Sequence, residues 1–435
     1  MRIGKREIAL ALCAVFLTAL VCSRFLLSVS MFGLAMVGLL EVQKTAGRWK
    51  IQVNPILIQH LKRFGLPLEY AVLLLLFFVV LCSGWQTEDW QFWLQRLRIK
   101  LPFLILPIAF LGLPVFSQRQ YLALGYYLLL LLFVTCIGIG TNYLFHFEAI
   151  TESIKHGKSI PTPANHIRFS LLLALGILGG TWLAWKQFYW KFYWEKRLIQ
   201  GITVFLFGFI FLLAVRSGLV ALYAGLLVLL IHYVNTTKNY WKTAVLVGFL
   251  LVMPIVAYLT FPSFTAKIGY VQEDLMMHER GKGENYSDSG RLTSIQMGME
   301  LAKAHPLLGV GAGNLQQEVE NLYAKAYPHL QDAKLPHNQF VWILAANGLV
   351  GLLLFSLAFF YPMFHNGNYR QPLFLAFHVV MFTSFLTEST LETALGVALY
   401  VFFLLLGLNY QVQYCPQTNL RSVYEPLPRT PNLVR

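Results

Sequence analysis

Residues 198–234 read LIQGITVFLFGFIFLLAVRSGLVALYAGLLVLLIHYV. Two apolar runs, 198–214 and 217–234, flank Arg216 with almost no loop between them. Each is about as long as a helix must be to cross a bilayer core, roughly 17–22 residues. Further runs lie at 8–22, 25–42, 68–84, 101–117, 121–140, 168–185, 243–260, 338–361, 372–388 and 393–413, about twelve in all. Composition agrees: 57% of the 435 residues are hydrophobic and only 12% are charged, where a soluble chain carries about 25%. Mean hydropathy is +0.58. A soluble enzyme, a secreted disulfide scaffold and a disordered chain are excluded. The sequence predicts an all-α, polytopic integral membrane protein.

The net charge of +14 would suggest nucleic acid in a soluble protein. In a membrane protein it bears on orientation, because Lys and Arg in short loops favour the cytoplasmic side, and no nucleic-acid partner is expected. With the N-terminus in the cytoplasm, loops 43–67, 186–197 and 235–242 lie inside, and with both termini included about nineteen of the 34 Lys and Arg fall on that side. The discordant segment is 85–100, whose Arg96, Arg98 and Lys100 would sit outside; its Trp90, Trp93, Leu94 and Leu97 spacing suggests a helix lying in the interface. The first two runs follow one another without a small-residue cleavage site, so they read as a retained hairpin. The five cysteines show no Cys-x-x-Cys spacing, so neither a disulfide nor a zinc site is expected.

Between 261 and 336 no spanning run occurs, and nine of the twenty acidic residues fall there. Such a long connection is usually functional, and the charge bias makes it extracytoplasmic. The organisation read from the sequence is therefore helices one to nine over 1–260, a large periplasmic loop over 261–336, helices ten to twelve over 337–414 and a cytoplasmic tail over 415–435. Within the loop, Leu292, Ile295, Met299 and Ala302 recur at helical spacing, which predicts an amphipathic helix over 290–304 and a second short helix over 314–327.

Arg216 stands out because an arginine near a helix centre is costly to insert, about 2.5–3.5 kcal/mol. Its bland reading is a snorkelling anchor, weakened by its place on the outer side; its functional reading is an anion clamp. Arg291, in Ser287-Asp288-Ser289-Gly290-Arg291, is either a solvated helix face or a cation beside a helix N-terminus that favours anions. Two arginines from distant positions suit a diphosphate, through charge-assisted and often bidentate hydrogen bonds. His337 lies at the mouth of the tenth run beside Asn338; it is either structural or a group able to accept a proton near neutral pH. Gly309, Gly311 and Gly313 lack the strand and the Gly-Lys-Ser/Thr of a phosphate loop and read as a turn. Arg168, with His166, opens the sixth run from outside and adds positive potential. Glu388 and Glu392 flank the last outer hairpin and are candidates for pairing with basic residues. No carboxylate cluster suggests a metal, and no cofactor is expected.

In this order the residues resemble the O-antigen ligase and polymerase superfamily of bacterial envelope glycosyltransferases. Arg216-Ser217-Gly218-Leu219 resembles its Arg-Ser/Thr-Gly element. Gly290-Arg291 followed by Pro306-Leu307-Leu308-Gly309-Val310-Gly311-Ala312-Gly313-Asn314 resembles its large loop. His337-Asn338, nine residues, then Gly348-Leu349-Val350-Gly351 resembles the ligase signature. The resemblance implies a fold like that of GT-C-type glycosyltransferases and a metal-independent transferase facing the periplasm from the inner membrane. Its donor would be a glycan on undecaprenyl diphosphate and its acceptor a lipid A-core sugar hydroxyl. His337, Arg216 and Arg291 would be catalytic; Arg216, Arg291, Asn338, Arg168, Gly311 and Gly313 would contact substrate. A polysaccharide polymerase and a protein O-oligosaccharyltransferase share these signatures. A lipid-linked glycan flippase is the non-enzymatic alternative, disfavoured because the polar residues gather on one face.

Overall fold

The computed structural model describes residues 4–45, 48–280, 287–328 and 333–414. Helices dominate. α1 (Lys5–Cys22) and α2 (Arg24–Leu39) form a hairpin turned at Ser23, whose Oγ accepts the Leu26 N–H at 3.3 Å. A small antiparallel hairpin follows, β1 (Leu40–Thr45) on β2 (Arg48–Val53), with Leu40 opposite Val53. Then come α3 (Pro55–Phe64), α4 (Leu68–Cys82), α5 (Trp90–Leu111), α6 (Gln118–Phe145), α7 (Phe147–Lys155), α8 (His166–Trp185), α9 (Glu195–Leu213), α10 (Arg216–Thr237) and α11 (Tyr240–Thr260). The long loop folds as α12 (Pro262–Glu279), α13 (Ser287–Ala304) and α14 (Leu315–Ala326). The chain returns through α15 (Gln339–Phe364), α16 (Pro372–Thr387) and α17 (Ala394–Tyr414). The tail and Cys415 lie outside the described residues.

Eight helical stretches are long and apolar enough to cross a membrane: α4 with the 3-10 turn that continues it to Gln86, α6, α8, α9, α10, α11, α15 with its continuation to Arg370, and α17. α2 and α16 are shorter apolar helices, while α1 and α5 carry charged residues. All twelve apolar runs thus fall on helices, and the chain is an all-α, multi-pass membrane protein. The expected helices at 290–304 and 314–327 are α13 and α14; α12 and the β-hairpin were not anticipated.

The segment 85–100 is not a separate interfacial helix. From Trp90 it runs unbroken into the following apolar run as α5, and part of its charge is met inside the protein: Lys100 is 4% exposed and bonds Glu392 at 2.7 Å. Trp93 is buried too, its Nε1 donating to the Val80 carbonyl at 2.9 Å.

α8 lies at the centre, and it runs parallel to α10. A Cβ on Gly218 would come within 2.4 Å of Ser170 Oγ, so glycine permits this approach and sets Arg216 and Arg168 at the same depth. The turn from α9 to α10 is only Ala214 and Val215, with Ala214 in the left-handed region at φ 50°, uncommon for a residue with a Cβ. That tight reversal makes Arg216 the first residue of α10.

Candidate active site

The starts of α8, α10, α13 and α15 and the end of α16 meet at one end of the bundle. Each delivers a charged or titratable side chain. Arg216 grips Asp288 with both terminal nitrogens, Nη2 to Oδ1 at 2.8 Å and Nη1 to Oδ2. Asp288 belongs to the first turn of α13, which is held in place by Asp274 of α12. The Asp274 carboxylate, 1% exposed, accepts the Asp288 N–H at 2.7 Å, and the Ser289 N–H and Oγ at 3.2 and 2.5 Å. It thereby satisfies donors that the first turn of a helix leaves open.

One turn along α13, Arg291 donates from Nη2 to Glu388 Oε1 at 2.7 Å, and its Nη1 lies 4.0 Å from Asp288 Oδ1. Glu388, just past the end of α16, has a side chain only 3% exposed. Its Oε2 is 3.3 Å from His337 Nδ1 and 3.7 Å from Arg168 Nη1. Burial alone would raise this carboxyl, but the His337 hydrogen bond and the Arg291 and Arg168 charges hold it below the ordinary carboxylate range. The result is an alternating chain: Arg216, Asp288, Arg291, Glu388, then His337 and Arg168.

The backbone N–H of His337 donates to Ser294 Oγ at 3.2 Å, and that hydroxyl donates to the Arg291 carbonyl at 2.7 Å. With Nδ1 committed to a carboxylate, neutral imidazole carries its proton there and leaves Nε2 as an acceptor. The side chain is 32% exposed. Arg168 is the reverse: 7% exposed, and its Nε has no hydrogen-bond partner among the described residues. Lys267 of α12 adds a fourth cation. Its Nζ donates to the Gly157 carbonyl at 2.9 Å. Burial and then the Arg216 charge lower its pKa to about 8, with Arg291 adding to them and Asp288 and Asp274 opposing.

Asn338 serves the backbone instead. Its Oδ1 caps α15 by accepting the Phe340 and Val341 N–H groups at 2.9 and 3.1 Å, and its Nδ2 donates to the Leu386 carbonyl at 3.0 Å. Gly311 and Gly313 are engaged elsewhere. The Gly311 N–H donates to the Ala346 carbonyl at 2.9 Å, two turns or ~11 Å along α15 from its start. A Cβ on Gly313 would meet Thr87 Oγ1 at 2.5 Å. The structure brings Arg216, Arg291, Arg168 and His337 together, and leaves these two glycines with the turn after α4. Sequence reading missed Asp274 and Lys267; Asp288, three residues before Arg291, carried a usable helical-pair signal.

Residues 201–356 match the family model described as O-Antigen ligase. The match runs from α9 into α15, so it takes in Arg216, Arg291 and His337, while Arg168 and Glu388 fall outside it. It agrees with the superfamily resembled in sequence and supports an enzyme of the O-antigen ligase or polymerase type. The comparison with curated proteins gave no match.

Proposed function

We propose that this protein transfers a glycan from undecaprenyl diphosphate to a sugar hydroxyl of a lipid A core, at the periplasmic face of the bacterial inner membrane. The observation that carries the reading is His337, held at Nδ1 by Glu388 at 3.3 Å within a group of three arginines. The acceptor oxygen bonds to the anomeric carbon as the carbon–oxygen bond to the diphosphate breaks. The acceptor proton passes to His337 Nε2, and the Glu388 carboxylate stabilises the resulting imidazolium. Charge growing on the leaving diphosphate falls to Arg216 and Arg291, which is electrostatic stabilisation of a transition state. Each guanidinium has five N–H donors, so holding Asp288 or Glu388 does not exhaust it. Arg168, whose Nε has no hydrogen-bond partner among the described residues, is the third candidate contact. Asn338 acts by setting the start of α15, and Gly311 and Gly313 by packing.

The test is transfer by purified protein from lipid-linked donor to acceptor, with excess EDTA present because the residue set requires no metal. His337→Ala should reduce turnover per folded molecule by about 10²–10⁴-fold with donor binding retained. Arg216→Ala should lose about 1.5–3 kcal/mol of transition-state stabilisation. Activity lost to EDTA and restored by magnesium would overturn metal independence, and near-normal turnover in His337→Gln would overturn proton transfer. In cells lacking the gene, unligated long chains mark a ligase and single-unit chains a polymerase.

A further inference from the structure

Two residues beyond His337, Gln339 is fully buried. Both ends of its amide are used: Nε2 donates to Glu392 Oε1 at 2.8 Å, and Oε1 accepts the Leu391 N–H at 2.8 Å. Lys100, from the middle of α5, reaches the same place, its Nζ donating to Glu392 Oε1 at 2.7 Å and to the Leu391 carbonyl at 2.8 Å. Arg96 Nη1 adds a bond to the Glu392 carbonyl at 3.1 Å. The Lys100 and Glu392 side chains are each 5% exposed.

Stability is a poor explanation for this pair. Two buried charges recover little beyond their desolvation cost, and well-packed apolar replacements are often neutral or stabilising. Glu392 Oε2 even lacks a hydrogen-bond partner among the described residues. What the network fixes is position. Glu388 lies four residues before Glu392 in the connection from α16 to α17, and His337 lies two before Gln339. The clamp therefore ties together the two segments whose side chains meet at 3.3 Å.

We propose that Lys100, Glu392 and Gln339 form a positioning clamp that sets Glu388 against His337, so that the imidazole presents Nε2 to the acceptor. This rests on the reading of His337 as the proton acceptor. The three are positioning residues, since all are buried beneath the site. The charged and titratable groups facing Glu388 are His166 and Arg168 from α8, Arg291 from α13 and His337; all remain when the clamp is cut.

The experiment compares wild type with Gln339→Met and with the double variant Lys100→Met/Glu392→Met, which removes no net charge. Lys100→Met alone would strand a buried carboxylate and is not informative. The first readout is the rate of carbethoxylation of His337 at a fixed pH, followed by mass spectrometry. The second is steady-state transfer. Losing the Glu388 contact should change the carbethoxylation rate in both variants, because the imidazole is no longer held at Nδ1. It should lower kcat about 10–100-fold through misplacement, with donor KM little changed and the double variant melting no lower than wild type. An unchanged carbethoxylation rate in folded variants overturns the clamp, as does wild-type kcat. Absence of transfer by the wild type would instead overturn the proposed function, while the carbethoxylation rate still judges the clamp.

Discussion

Asp288 and Glu388 make the arginine cluster possible. Three guanidinium groups at one helix-bundle end repel one another, and each carboxylate sits between two of them: Asp288 between Arg216 and Arg291, Glu388 between Arg291 and Arg168. Lys267 is less fully neutralised, and its titration is a handle on the site. A free lysine keeps its charge to about pH 10.4, whereas Lys267 loses it as pH rises through about 8. The positive potential around Arg216 and Arg291 therefore weakens from about pH 8 upward, and donor KM should climb over the same range. In Lys267→Met the KM should already be raised at pH 7 and stay flat. Steady-state KM from pH 7 to 9.5 decides it; parallel profiles in wild type and variant would remove Lys267 from the donor site. Arg216 and His337 were readable in the chain because an arginine between apolar runs and a histidine at a helix mouth are costly or conspicuous on their own, and Arg291 through its place at the start of a helix in the long loop. Lys267 and Asp274 were not. Each is an ordinary charge in a polar stretch, and each matters only because α12 packs against α7 and α13.

At the scale of elements, the interval from Asn338 to Gly348 has a mechanical reason. Gly348 interrupts α15 with φ 63° and ψ −166°. The break lets the Leu349 and Val350 N–H groups donate to the Pro306 and Leu307 carbonyls at 2.8 and 3.2 Å. The loop that follows α13 is thereby latched to the helix that follows His337. A Cβ at Gly348 would lie 2.3 Å from the Leu307 carbonyl carbon and oxygen, so neither the backbone angle nor the space suits alanine. Gly348→Ala should destabilise the fold by at least about 1–3 kcal/mol from backbone strain alone. Gly179→Ala is the control: it is helical, a Cβ there meets nothing within 4 Å, and the change should be neutral or slightly stabilising. Thermal melting in detergent checks both, and equal melting temperatures would mean that the latch is not holding α15. The helices were legible because apolar runs and helical spacing survive in any tertiary context. The β-hairpin and α12 were hidden in polar sequence. α5 was misdivided because Arg96 and Lys100 look like surface charges until Glu392 is known to face them.

For the whole molecule, every member of the cluster reaches the same end because α8, α10 and α15 all start there and α16 finishes there. The basic loops at 186–197 and 235–242 join helices at the opposite end, since they follow α8 and α10. Geometry therefore couples two statements: if Lys and Arg hold those loops in the cytoplasm, the arginines and His337 face the periplasm. α11 carries no independent vote, being only 6% buried and loosely attached. The prediction is a labelling asymmetry. In a background with Cys13, Cys22, Cys82, Cys136 and Cys415 replaced, single cysteines go at Gln317, exposed on α14, and at Lys238, exposed after α10. A membrane-impermeant maleimide added to intact spheroplasts should modify the Gln317 position at once and the Lys238 position only after permeabilisation. The reverse pattern would turn the cluster toward the cytoplasm, and the proposed periplasmic transfer would fall with the orientation. Labelling of both positions in intact spheroplasts would place one of the intervening helices, α11 first, across less than the full membrane.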